Sequence, residues 1–431
     1  MIDERAGSEA DDSEDAASLA ALIRNAERAR ASADAARDAA RVELGLRFWH
    51  QHVHLTVPAS DVVRARKAVE SGTEPVARQM ARLGLPAAAL ADRLRLPTDV
   101  VAEALDRPRR APLVVLDGED AELAGMDAGA GGQAAARLLR DAGWAASTLR
   151  FYRPPGLNQP DAARGLVSVL HAAGLGREPA AYPLDGVVFP KAEQPEEIDW
   201  LVGTLVAVEA ALGLAPGRIR VALLIESGWA VAQLPALARR AGTRLCALIL
   251  GTADLSADLG LPRIADRHFL ADWARAQVVT VAGALGVPAI DGMTLAYPVA
   301  DAALDAAANR DRFLERMALV YDDARHARDM GMAGKWVGHP AQLLAVELAF
   351  RQAQQEIDAE IHKLVAYEAA QGDGRGAAII GGAMADRATD RHARMLLRRA
   401  TAMGWLEPHR ALRFGVIEQH ELPEAMAIWR G

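Results

Sequence analysis

Ile219-Arg220-Val221-Ala222-Leu223-Leu224-Ile225-Glu226 is an apolar run that stops on a carboxylate. Further along, Cys246-Ala247-Leu248-Ile249-Leu250-Gly251-Thr252-Ala253-Asp254 repeats the pattern. A continuous apolar run reads as a parallel strand buried on both faces. The carboxyl end of such a strand opens onto the ligand-binding face of an α/β fold. Glu226 and Asp254 are therefore expected on the same face, delivered by successive strands, where two carboxylates can grip one divalent cation.

Working outward, further strands are predicted near 53–57, 112–116, 147–152, 186–190, 287–290 and 334–338. Helical patterns separate them, among them Asp61–Glu70, Glu196–Leu212, Ala230–Ala241, His268–Leu285 and Asp311–Met330. Eight strand-plus-helix units at this spacing favour an α/β (β/α)8 TIM barrel, with an open doubly wound sheet as the alternative. Residues 1–17 are acidic and read as disordered. Residues 18–50 read as an N-terminal helical extension, periodic from Leu19 to Leu44 and stopped near Gly45. The barrel is expected over 51–350, with a helical insert at 73–110 after the first βα unit. Residues 351–431 form a C-terminal helical tail, expected to pack on a neighbouring subunit.

The chain has 431 residues, 51% hydrophobic and 25% charged, with a net charge of −8. That balance argues against nucleic acid or an anionic membrane as the main partner. The single cysteine, Cys246, sits inside an apolar strand, so neither a disulfide framework nor a thiolate metal site is expected. No signal peptide or spanning segment is read, and the expected location is cytoplasmic.

If the barrel is right, the strand ends name the active site. In order they carry Asp117, Glu119 and Asp120; Arg150 and Arg153; Lys191; Glu226; Asp254 and Asp258; Asp291; Lys335 and His339. Hard oxygens with few nitrogens suit Mg²⁺, or Mn²⁺ in its place. A nearby arginine adds bidentate carboxylate binding. The set fits carbon–carbon bond chemistry through a metal-stabilised enolate.

The same residues carry a family resemblance. Val115-Leu116-Asp117-Gly118-Glu119-Asp120-Ala121 is similar to the "LDLEDAV" strand of the HpcH/HpaI aldolase and citrate lyase β-subunit superfamily. Phe189-Pro190-Lys191-Ala192-Glu193, Leu224-Ile225-Glu226-Ser227, Gly251-Thr252-Ala253-Asp254 and Gly334-Lys335-Trp336-Val337-Gly338-His339-Pro340 continue the resemblance in order. It implies a metal-dependent lyase that cleaves or forms a β-hydroxyacyl-CoA such as malyl-CoA or citramalyl-CoA, giving acyl-CoA and glyoxylate or pyruvate. It places the metal on Glu226 and Asp254. The catalytic set it implies is Arg150, Glu119 and Asp386, and substrate contacts fall on Arg150, Asp117, Gly251, Thr252 and Ala253. Met384-Ala385-Asp386 resembles the "MID" segment of malyl- and citramalyl-CoA lyases, in which an Asp from a neighbouring subunit handles a proton. A homo-oligomer, trimer or hexamer, is implied.

Each assignment has a plainer reading beside it. Glu226 and Asp254 could cap strand-to-helix turns. Arg150 could pair with Asp117 or Glu119 under the rim, and Asp386 could be an ordinary helix N-cap. The insert has helix-turn-helix rhythm, but Asp99, Glu103 and Asp106 make its last helix a poor phosphate-binding face. An aldolase acting on free pyruvate without CoA, or a barrel that binds without catalysis, are the competing functions.

Overall fold

The computed structural model describes residues 22–32, 35, 41–119, 128–141, 143–262, 268–372, 377–380 and 383–430. The predicted disordered segment 1–17, and Asp120 of the acidic motif, lie outside them. Residues 22–32 are helical within a separate N-terminal unit that ends at Val42. The expected helix does not run on to Leu44: residues 41–45 are irregular and Leu46–Trp49 form a 3-10 turn.

Eight parallel strands close into a barrel in sequence order, β1 pairing with β8. They are β1 Val53–Pro58, β2 Leu113–Asp117, β3 Leu149–Arg153, β4 Gly186–Phe189, β5 Arg220–Ile225, β6 Leu245–Leu250, β7 Ala289–Asp291 and β8 Gly334–Val337. This is the (β/α)8 TIM barrel the apolar runs predict. The outer layer contains α1 Val62–Ser71, α5 Ala128–Asp141, α6 Ala162–Gly174, α7 Pro195–Ala211 and α8 Gly228–Ala241. The short α9 Thr252–Asp258 precedes α10 Phe269–Leu285, and α11 Ala306–Asp329 and α12 Leu343–Phe350 complete the ring. Local chemistry sets their starts. Asp61, Ser227 and Asp305 cap α1, α8 and α11 by accepting from backbone N–H groups of the first turn.

Side chains alternate across the barrel wall with the period of two that a strand imposes. Tyr152 donates outward to the Gly165 carbonyl of α6, so Phe151 and Arg153 on either side of it point inward. Gly186 makes room for Phe151: a Cβ there would stand 2.6 Å from the ring. On the far side, buried Lys335 and Asp291 point outward. Lys335 Nζ reaches Asp291 and Asp323 at 2.7 Å, and Arg275 Nε reaches Asp291 at 2.8 Å, tying β7 and β8 to α10 and α11. Burial would lower the Lys335 pKa, but Asp291 and Asp323 raise it.

The insert forms three helices, α2 Glu74–Leu83, α3 Ala87–Leu94 and α4 Thr98–Asp106. They lie on the outer layer: α3 packs on α11 and α4 on α12, with Arg95–Asp322 and Arg351–Glu103 pairs at the seams.

The tail comprises α13 Gln354–Gly372, a hairpin of β9 Ala378–Ile380 and β10 Ala383–Ala385, then α14 Arg387–Ala402, α15 Pro408–Arg413 and α16 Leu422–Arg430. The tail meets its own barrel along one side. Helices α14 and α16 close on this chain's own 3-10 turn at Leu46–Trp49, beside the amino ends of the strands. His50 Nδ1 lies 2.7 Å from the Ala402 carbonyl, and Arg47 N–H donates to Glu424 at 3.2 Å. The cause is apolar: Leu46, Trp49, Leu397 and Ala400 bury one another's surface. Beneath this seam His52 meets Glu347 at 2.9 Å. Burial would raise the Glu347 pKa, but His52 brings it down to about 2. Among the described residues no helix is long and apolar enough to cross a membrane.

Candidate active site

Four acids and two bases meet at the carboxyl end of the barrel. Glu226 follows β5 and is 4% exposed. It can sit so close to β6 because residue 251 is glycine: a Cβ there would lie 2.7 Å from Glu226 Cβ and 3.0 Å from its Oε2. Asp254 lies in the first turn of α9 with its side chain 47% exposed. Burial, then the charges of Asp254 and Glu119, push the Glu226 carboxyl up to about 8.

Two cations answer this crowding. Arg153, at the last position of β3, clamps Asp117 with Nε at 2.7 Å and Nη2 at 2.5 Å, and places Nη1 3.1 Å from Glu119. Its guanidinium lies 5.5 Å from the Trp336 ring centroid, a cation–π contact from β8, and Trp336 donates through Nε1 to Thr56 Oγ1. Lys191 follows β4 in a left-handed conformation with φ 53°, rare for a residue with a Cβ. That twist aims its backbone N–H at Glu226 Oε1, 3.2 Å away, and its Nζ at Glu119, 2.9 Å away, with Asp254 at 4.0 Å.

Some of the expected residues come together in this place and others lie elsewhere. Glu226, Asp254, Glu119 and Asp117 converge, with Gly251, Thr252 and Ala253 on the turn that joins β6 to α9. Asp117 spends both oxygens on Arg153 and accepts from the Glu119 N–H at 3.1 Å, so it holds the guanidinium instead of facing a substrate. Arg150 is a correction. Its position, opposite Val114 near the start of β3, and its outward orientation carry it to the other end of the barrel, where it meets Asp185 and Trp144. Arg153 stands where Arg150 was expected. The signal was present, because strand parity puts Arg150 on the outer face and Arg153 on the inner one. Asp386 caps α14, its Oδ1 accepting from the Ala388 and Thr389 N–H groups. Those bonds, that from Thr389 foremost, lower its pKa, so it is an ionised base at neutral pH.

Residues 154–428 match the family described as "Domain of unknown function (DUF6986)". The chain belongs to this family. It is 26% identical over 261 residues to the L-malyl-CoA/β-methylmalyl-CoA lyase of Rhodobacter capsulatus, covering 57% of this chain and 74% of that one. The enzyme of the same name from Haloarcula marismortui is 26% identical over 238 residues, but the match spans only 62% of its length and 52% of this chain. Citrate lyase subunit beta of Escherichia coli is also 26% identical, over 51% of this chain and 67% of its own. A citrate lyase crystal structure from Burkholderia xenovorans shares the fold, with a TM-score of 0.55 and 24% identity over 73% of this chain and 87% of that one. The DUF6986 chain thus sits within the HpcH/HpaI and citrate lyase β-like superfamily, as its motifs indicate, and is a homologue of carbon–carbon lyases of the CoA-ester kind.

Proposed function

We propose that this DUF6986 protein is a divalent-metal-dependent lyase that cleaves or forms a β-hydroxyacyl-CoA of the malyl-CoA or citramalyl-CoA class, with glyoxylate or pyruvate as the keto acid. The observation that carries the reading is the crowding of Glu226, Asp254 and Glu119 at the barrel mouth, which leaves the Glu226 carboxyl at about 8 without a further cation. The donor set fits a hard ion. Two carboxylates suit Mg²⁺, an ion that takes one or two of them and keeps water or substrate oxygens for the rest. Glu226 and Asp254 are the residues that would hold it, and bound there it would supply Lewis acidity toward a developing oxyanion.

The remaining roles belong to side chains of this protein. Arg153, held by Asp117 and faced by Trp336, binds the carboxylate of the keto acid. Glu119 and Lys191 fix that geometry, Lys191 by orienting Glu226 through its backbone N–H. The backbone of Gly251, Thr252 and Ala253 shapes the floor on which the substrate rests. Asp386, contributed by a second copy in a homo-oligomer, takes the proton from the α-carbon of the acyl-CoA in condensation. That proton passes on through solvent to the alkoxide formed at the keto carbon; in cleavage the route runs backwards, the hydroxyl proton reaching Asp386, which delivers it to the α-carbon.

Calorimetric titration with Mg²⁺, followed by assay of glyoxylate or pyruvate release from the two thioesters, tests the proposal. Mg²⁺ binding that disappears in Glu226→Gln and Asp254→Asn, together with turnover, is the expected result. Turnover of free keto acid and aldehyde in place of the thioester would move the chain to the aldolase reading, and indifference to every divalent ion would end the metal assignment.

A further inference from the structure

The amino end of the barrel holds an opposite imbalance of charge. Asp185, 1% exposed, is a single carboxylate surrounded by three guanidiniums. Arg47 clamps it at 2.7 and 3.1 Å, Arg150 Nε stands 3.7 Å away and Arg218 Nη2 4.0 Å away. Arg47 also donates to the Thr148 carbonyl, and Arg218 donates to the carbonyls of Leu184 and Tyr182. Arg150 differs from both. At 3.7 Å its nearest acid is beyond hydrogen-bond reach, and among the described residues its guanidinium donates to no acceptor. The buried Nε–H of this partly exposed arginine is thus uncommitted, although buried polar groups are seldom left so. Burial, opposed by Asp185 and reinforced by Arg47 and Arg218, holds the Arg150 pKa below its usual value.

These three arginines share one open cavity of about 490 Å³ with Ser147, Tyr182 and Glu424. Three guanidiniums against Asp185 beneath them and Glu424 on the wall leave one net positive charge. Glu424 is engaged by the Arg47 N–H, which leaves the Arg150 side of the cavity to the cations. We propose that this cavity is an anion-binding site, separate from the mouth, that takes the phosphate group of a small ligand through Arg150, with Arg218 and Arg47 beside it. A tetrahedral oxyanion supplies acceptors to a guanidinium fork and to its neighbours together, as a single carboxylate does not.

The test is thermal unfolding of the full chain titrated with potassium phosphate, against potassium chloride at matched ionic strength. The expected result is a saturable rise in melting temperature, half-maximal on the order of 1 mM phosphate. The rise should vanish in Arg150→Gln. It should vanish equally in Ala146→Glu, which leaves every guanidinium in place and puts a carboxylate at an exposed position of the cavity wall. Both variants should keep the wild-type response to Mg²⁺. Glycerol phosphate separates the two sources: an equal response marks a phosphate ester as the ligand, and a response to inorganic phosphate alone marks the free ion. The proposal is overturned if Ala146→Glu responds as wild type does, if the rise never saturates, or if acetate matches phosphate.

Discussion

The two ends of the barrel are built from the same strands and carry opposite excess charge. At the carboxyl end Asp117, Glu119, Glu226 and Asp254 outnumber Arg153 and Lys191. At the amino end Arg47, Arg150 and Arg218 outnumber Asp185. Strand β3 joins the two, with Arg150 near its start and Arg153 at its finish, roughly 10 Å apart at a strand's rise per residue. Neither end closes its own charge balance, whereas the buried Lys335–Asp291–Arg275–Asp323 network on the outer wall pairs two cations with two anions and meets a third acid, Asp272, only at its partly exposed edge. A balanced buried network holds elements together; an unbalanced one facing a cavity asks for a ligand of the missing sign.

The sharpest way to break this contrast is at the acids. Glu226→Gln and Asp254→Asn should each reduce kcat by about 10³-fold or more, the scale of losing a preorganised charge at a reacting centre, in a steady-state assay of keto-acid release. Equal activity in either variant would remove the metal pair. The arginines come next. Arg153→Lys forfeits the bidentate hold on Asp117 and should lower kcat/KM about 10²-fold, while Arg150→Lys should leave turnover within about twofold of wild type. Reversal of that order would restore Arg150 to the site and undo the comparison.

A third effect concerns the core between the two ends. His54 on β1 is fully buried beside Trp336, and among the described residues neither ring nitrogen has a hydrogen-bond partner. Burial, with His52 adding to it, pulls its pKa down to about 3. The folded value lies below the unfolded one near 6.5, so the unfolded chain binds the extra proton. Stability from this group is complete above pH 6.5 and is lost as the pH falls toward 3. By pH 5 the loss should be about 2 kcal/mol. Urea unfolding at pH 7 and pH 5 reads this loss together with that of buried His50, also brought down to about 3, and His54→Leu should reduce the difference by the His54 share. The smallest effect is steric. Gly251→Ala forces a methyl group against Glu226 Cβ and should cost about tenfold in kcat and about 1 kcal/mol of stability, read from the melting temperature.

The fold was largely legible because parallel strands buried on both faces leave uninterrupted apolar runs, and each of the eight expected strands overlaps an observed one. The acids at the mouth were legible for the same reason, since each follows such a run. The family resemblance points to the first arginine of Leu149-Arg150-Phe151-Tyr152-Arg153, whereas the alternation of faces selects the second. Lys191 gave no readable sign of its left-handed backbone, a property set by what its N–H and ammonium reach in three dimensions. The docking of the tail was equally hidden, because an apolar helix face does not say which surface will cover it.

That left-handed residue sets two selection pressures against each other. Glycine at position 191 would adopt the observed φ without strain and should raise folded yield, by about 1 kcal/mol of backbone relief. It would also delete the ammonium that bridges toward Glu119 and Asp254. A saturation library at this codon, sorted once for soluble expression and once for turnover, should therefore return different winners.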